Sequence, residues 1–168
     1  MPNLNDQAHF SQVPATSVNR SVFDRSHGWK GTSKTGLLNV NFIDEILPGD
    51  TVDIREYMLT RSISPFVRPV MDNVYVDQYF FWCPDRLLWT NFTAFMGEGD
   101  PSQWTTPSTL TMPTAACDDQ SGHPRTVGDL AHEMGIPVGV TSANGQLNAL
   151  PFRMYKKVYN EWFRDENL

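Results

Sequence analysis

Ten residues, Val74 to Cys83, restrict this chain more than any other stretch. At the two-residue period of a β-strand, Val74, Val76, Phe80 and Trp82 fall on one face, and Tyr75, Tyr79, Phe81 and Cys83 fall on the other. A strand with one apolar face can leave the other in water. A strand that is apolar on both must be covered twice, by a second layer or by another subunit. Composition agrees that the chain expects to bury surface: 12% of its residues are aromatic and 19% are charged, against about 25% charged in an ordinary soluble domain. A disordered acidic tail is excluded.

Two further segments alternate. Leu38, Val40 and Phe42 alternate with Asn39, Asn41 and Ile43, which predicts a first strand with one polar face. Pro48-Gly49-Asp50 predicts a tight turn, because Pro48 presets φ and Gly49 accepts positive φ. A second strand is expected from Thr51 to about Ile63, where Val52 and Ile54 alternate with Asp53 and Arg55. Beyond Glu56 the apolar phase shifts to Tyr57, Leu59 and Ile63, the mark of a bulge or of a strand changing sheets.

Residues 1–36 are polar and aperiodic, with scattered Phe10, Val13, Val18, Val22, Phe23 and Trp29. They read as an extended arm. In Arg20-Ser21-Val22-Phe23-Asp24-Arg25-Ser26-His27, two cations flank a large aromatic, a composition suited to docking on another surface; a free terminus is the equal alternative. Residues 85–168 read as helices and loops. Helices are predicted near 85–96 (Asp85 as N-cap, Gly97 as stop), 126–134 (Thr126 as cap, Gly135 as stop) and 148–165. The last has a wide apolar stripe through Leu150, Met154, Tyr155, Val158, Tyr159, Trp162 and Phe163, and Pro151 is tolerable there in the first turn. Residues 101–125 read as a functional loop or insertion.

No catalytic template is satisfied. His132-Glu133 begins like a zincin helix but lacks a second His four residues on, and Gly97-Glu98-Gly99 lacks both the third glycine and a preceding strand. His9, His27, His123 and His132 have no evident Ser or Cys partner, and the carboxylate pairs Asp118-Asp119 and Asp72 with Asp77 have no special spacing. Cys83 and Cys117 form no metal-ligand pattern and read as structural thiols, so no metal and no cofactor is expected. The crowd of Tyr79 to Trp82 with Trp89, Phe92 and Phe95 could stack sugars or bases, although core packing is the more ordinary use. With 13 Lys and Arg against 19 Asp and Glu, a net charge of −6 disfavours a surface that coats nucleic acid. Neither an apolar run of about 18 residues nor a signal-like start is present, so no membrane association is expected.

Three blocks then carry a resemblance: Ile43 to Thr51; Val70-Met71-Asp72-Asn73 with Asp77 to Leu87; and Asn148 to Arg153 with Asn160 to Leu168. In this order, and with Phe23-Asp24-Arg25-Ser26-His27 ahead of them, they resemble the major capsid proteins of the Microviridae, in particular the gokushovirus group. The resemblance implies a mainly β chain with a helical insertion, the N-terminal part of a viral jelly roll whose eight-stranded antiparallel barrel is incomplete here. Residues 37–84 would supply its first three strands and 85–168 the insertion after the third. Family members continue well past this length, so the chain is expected to be an N-terminal fragment. The implied function is structural, not enzymatic: the icosahedral shell of a small single-stranded DNA bacteriophage, assembled in the bacterial cytoplasm and residing in the virion. The alternative is a carbohydrate-binding or receptor-binding jelly-roll module. The implied partners are other copies of the capsid protein, with weak, non-specific contact to packaged single-stranded DNA. Arg20, Phe23, Arg25, Tyr79, Phe81, Trp162 and Phe163 are the candidate subunit-interface residues.

Overall fold

In a computed structural model the described residues are 18–69, 71–98, 110–118, 123, 125–141 and 145–167. The chain divides into two units, Met1–Lys30 and Gly31–Leu168. In the first, residues 18–30 form neither helix nor strand. Their local order comes from Asp24, whose carboxylate accepts from the Ser26 backbone N–H (2.9 Å) and hydroxyl (2.5 Å). This is the side-chain-to-backbone bend that Asp favours outside regular structure.

In the second unit the turn predicted at 47–50 is present. The Asp50 N–H donates to the Leu47 carbonyl at 3.1 Å, and Gly49 sits at φ 87°, the left-handed value required at the third position of a type II turn. The segments on either side of it, and residues 74–83, differ from expectation. None of the three strands expected within 37–84 forms a backbone ladder among the described residues. Alternation prepares the faces of a strand, but a ladder also needs a facing strand in register, and among the described residues none pairs with these segments. Side chains join the three segments instead. Glu56 accepts from Asn41 at 3.2 Å with one oxygen and from Gln78 with the other.

The ordered structure lies in the expected insertion. A 3₁₀ turn, Asp85–Leu87, is followed by α1 (Phe92–Phe95) where a single helix was expected. Pro84 occupies the N-cap position with Asp85 already inside the turn, so Asp85 is not the cap. Residues 114–118, expected to be loop, include β1 (Thr114–Ala116), which pairs antiparallel with β2 (Gln146–Asn148) in the register Thr114↔Asn148, Ala115↔Leu147 and Ala116↔Gln146. Helix α2 (Leu130–Glu133) is shorter than predicted because Asp129, not Thr126, stands at its N-cap. The Asp129 carboxylate instead turns back to accept from the Thr126 N–H at 2.9 Å. Gly97 and Gly135 stop α1 and α2 as predicted, each at positive φ (98° and 91°). In both, the two residues that follow the C-cap (Met96 and Met134) donate back to carbonyls of the helix's last turn, Gly97 to Ala94 and Glu98 to Thr93, Gly135 to His132 and Ile136 to Ala131, which is the Schellman closure.

The C-terminal helix α3 (Leu150–Val158) begins where expected. The Asn148 side-chain oxygen accepts from the Leu150 N–H at 2.9 Å, and Pro151 lies in the first turn. It does not stay α-helical to 165. Tyr159–Phe163 form a π-turn, closed by the Arg164 N–H donating to the Tyr159 carbonyl at 2.8 Å, one residue wider than an α-turn. Buried apolar residues among those described are Cys117, Ala131, Ala149 and Leu150, with Asp118 beside them. The buried positions therefore lie just after β1, within α2 and at the start of α3.

Candidate interface surface

Helix α3 and its π-turn reach several segments at once. The Arg153 guanidinium donates to the Leu88 carbonyl (3.1 Å), and the Tyr155 hydroxyl donates to the Leu38 carbonyl (3.0 Å). Just before the helix, Asn148 donates to Glu45 at 3.4 Å, and the Ala149 N–H donates to the Pro113 carbonyl at 3.0 Å. Such anchoring decides where the helix ends, and its end carries the surface of interest.

There the structure brings together four of the seven candidate interface residues. The Tyr79 ring meets Phe163 edge-on (5.6 Å, 80°) and stacks with Phe81 at 6.3 Å. Phe81 also lies 5.6 Å from Trp162 and 6.0 Å, edge-on, from Phe163. Edge-to-face and tilted rings at these separations each add about 0.5–1.5 kcal/mol beyond the area they bury. Tyr79 and Phe81, two residues apart, stack on the same side of their segment. Trp162 and Phe163 are adjacent, and the π-turn sets the direction in which both project. The shelf is not closed: Trp162 remains 70% exposed and Tyr79 58% exposed, and the alternate residues Phe80 and Trp82 are exposed as well.

Beside the shelf, Lys157 pairs with Glu161 at 2.5 Å one helical turn apart, and that hydrogen bond raises the lysine pKa. An exposed pair of this kind adds little to stability. Cys83 has its thiol pushed up by burial; Lys157 opposes the shift, and Glu161 and Asp85 reinforce it. A raised thiol pKa lowers the thiolate fraction at neutral pH. Next to it, Leu87, Leu88, Arg153, Lys156, Lys157 and Asn160 line a shallow, open groove.

Arg20, Phe23 and Arg25 belong to the first unit. Phe23 and Val22 are almost fully exposed there. Residue-by-residue reading did not anticipate the polar contacts Asn41–Glu56–Gln78, Tyr155–Leu38 and Asn148–Glu45. The usable signal was Glu56 itself, which stands at the point where the second segment changes apolar phase. Among the described residues no group of three His, Cys, Asp or Glu side chains could hold a metal ion, and no helix is long and apolar enough to cross a membrane.

Comparison with known proteins supplies what this geometry alone leaves open. The chain is 42% identical over 166 residues, 97% of its length, to capsid protein VP1 of Bdellovibrio phage phiMH2K. It is 39% identical over 163 residues (95% of the chain) to capsid protein VP1 of Chlamydia phage 1, and 30% identical over its whole length to capsid protein VP1 of Spiroplasma virus 4. It spans only 29%, 26% and 29% of the length of these relatives, respectively. No solved structure matches it. The family model described as capsid protein (F protein) matches residues 11–168, and with that match the chain belongs to the phage capsid F-protein family.

Proposed function

We propose that this chain forms part of the shell subunit of a small single-stranded DNA bacteriophage, a structural role and not a catalytic one. The observation that carries the reading is the 42% identity to a capsid protein across 97% of the chain. In this reading residues 37–84 are the first three strands of a jelly roll, 85–168 are the insertion that follows, and 1–36 are an arm that reaches a neighbouring subunit through Arg20, Phe23 and Arg25. The doubly apolar stretch 74–83 then has its physical explanation: one face turns to the second sheet of the barrel and the other to the insertion, whose Trp162 and Phe163 already touch Tyr79 and Phe81. The subunit assembles in the host cytoplasm and resides in the virion. Its contact with packaged DNA is weak and does not read sequence, since the net charge is −6 and such binding draws on Lys and Arg.

The test is a chimera. This chain replaces the matching segment of the Bdellovibrio phage capsid protein, and the product is examined by size exclusion and electron microscopy. Uniform closed shells are expected. Soluble product that never closes into shells would count against the reading, provided the unaltered relative assembles in parallel.

A further inference from the structure

We propose that the groove between Leu87-Leu88 and the face of α3 and its π-turn that carries Arg153, Lys156 and Asn160 holds the backbone of single-stranded DNA, with Arg153 and Lys156 as its two phosphate contacts. The inference deepens the shell reading, since it gives the weak DNA contact a place, and it rests on that reading for the presence of a packaged strand.

The charge of this groove belongs to its walls. Arg153, Lys156 and Lys157 line it together with one carboxylate, Glu161, and Lys157 holds Glu161 at 2.5 Å. That pairing leaves Arg153 and Lys156, two exposed cations with no acid of the lining to answer them. Asp85, just before Leu87 along the chain, does not line the groove. The two cations are differently prepared. Arg153 donates one N–H to the Leu88 carbonyl at 3.1 Å, which holds its guanidinium at the wall and leaves the rest of the fork for a ligand, at a lower ordering cost than a free side chain has. The Lys156 ammonium has no partner among the described residues, and the Asn160 side chain adds a neutral donor. A fork, an ammonium and an amide around one trough suit a phosphate, which accepts on more than one oxygen. The trough is shallow and open, so it passes a chain instead of enclosing a small molecule. Leu87, 59% exposed, offers apolar wall to a sugar or base between the phosphates.

The experiment titrates the whole chain into a fluorescein-labelled oligothymidylate of about twelve nucleotides, within the usual span of a single-strand site, and reads anisotropy between about 50 and 200 mM salt. Two phosphate contacts on a single strand predict a slope of log K on log salt of about −1.4, roughly a sevenfold loss of affinity across that range. Lys156→Gln should bring the slope to about −0.7 and weaken binding at the low-salt end roughly fivefold to tenfold. Lys30→Gln removes the same charge from an exposed lysine of the other unit and should leave slope and affinity as they were. A polyglutamate peptide of matched charge should compete poorly. Three results would overturn the proposal: no salt-dependent binding, equal losses from the two lysine variants, since net charge and not the groove would then set affinity, or polyglutamate that competes as well as oligothymidylate, since the groove would then take any polyanion. The readout is taken on unassembled chain, so a failed chimera leaves it intact, and its own failure leaves the shell reading intact.

Discussion

Residues 37–83 and residues 113–158 differ in a way opposite to what their sequences suggest. The first region alternates like three strands and yet forms no ladder among its described residues, with Val52, Ile54, Val74, Val76, Phe80 and Trp82 all exposed. The second, much of it Thr, Pro, Ala and Asp, holds, among the described residues, the two-stranded ladder, the longest helix and the buried residues. The difference is one of partners. Ala115 finds Leu147 only some thirty residues away along the chain, so this region closes on itself. A segment such as 74–83 presents two faces and two backbone edges; among the described residues Trp162 and Phe163 meet one face, Glu56 accepts from Gln78 on the other, and no strand pairs with either edge.

The largest consequence should appear in amide exchange of the isolated chain. Residues 37–69 and 71–83 should exchange within about tenfold of the unprotected rate, while amides of β1, β2 and α3 should be slowed on the order of 100-fold or more, as cooperative local units are. The exposed apolar edge at 74–82 should also drive self-association as concentration rises. Equal protection of both regions would break the comparison outright, because it would mean that the first region has found a core of its own.

The next effect sharpens it from the other side. Leu150 is 4% exposed, and Leu150→Ala should cost about 2–5 kcal/mol in whatever cooperative urea transition the second region shows. The same truncation at Leu59, 69% exposed, should change the midpoint little. A similar loss at both positions would show that the second region is not where stability resides.

What was legible in the sequence follows the same division between local and distant causes. Gly49, Gly97 and Gly135 were readable because a positive φ at a turn or helix end is settled by a few adjacent residues. The start of α3 was readable from Asn148, Pro151 and the apolar stripe. The π-turn was not, since nothing in Tyr159–Phe163 distinguishes i→i+5 closure from an α-turn. Strand β1 was hidden because Thr114-Ala115-Ala116 has no alternation to display, and its existence depends on Gln146–Asn148. Tyr79, Phe81, Trp162 and Phe163 were each visible as apolar residues with an interface in prospect; their meeting was not, because some eighty residues separate the two pairs. Glu56 could be seen as a break in phase but not as the bridge between Asn41 and Gln78.

A smaller effect tests the helix ends. Gly135 sits at φ 91° with no atom within 4 Å of where a Cβ would stand. Gly135→Ala therefore meets no clash, and its cost is the left-handed backbone alone, about 1–2 kcal/mol. That loss should appear as faster exchange of the α2 amides with residues 37–83 unaffected. No change would mean that the Schellman closure does not hold α2 in place.

The smallest effect concerns a bond that crosses between the two regions, from the Tyr155 hydroxyl to the Leu38 carbonyl. Only the neutral phenol can donate it. Burial raises the Tyr155 pKa above its ordinary value of 10.0, with Glu133 and Tyr159 adding to the shift. A folded-state pKa above the unfolded one means that the folded chain keeps a proton the unfolded chain has already lost. The contribution is therefore complete below pH 10.0 and declines as pH rises through the raised value. Tyr155→Phe removes the bond at every pH and should cost about 0.5–1.5 kcal/mol at neutral pH. It should also flatten the alkaline loss of stability, leaving the part due to Cys83, whose thiol is likewise raised by burial. Urea midpoints of the two proteins should accordingly differ at neutral pH and converge in alkali. Curves that stay parallel into strong alkali would show that Tyr155 is not titrating in the folded chain in the way its burial requires, and that the first region is held to α3 by something other than this hydroxyl.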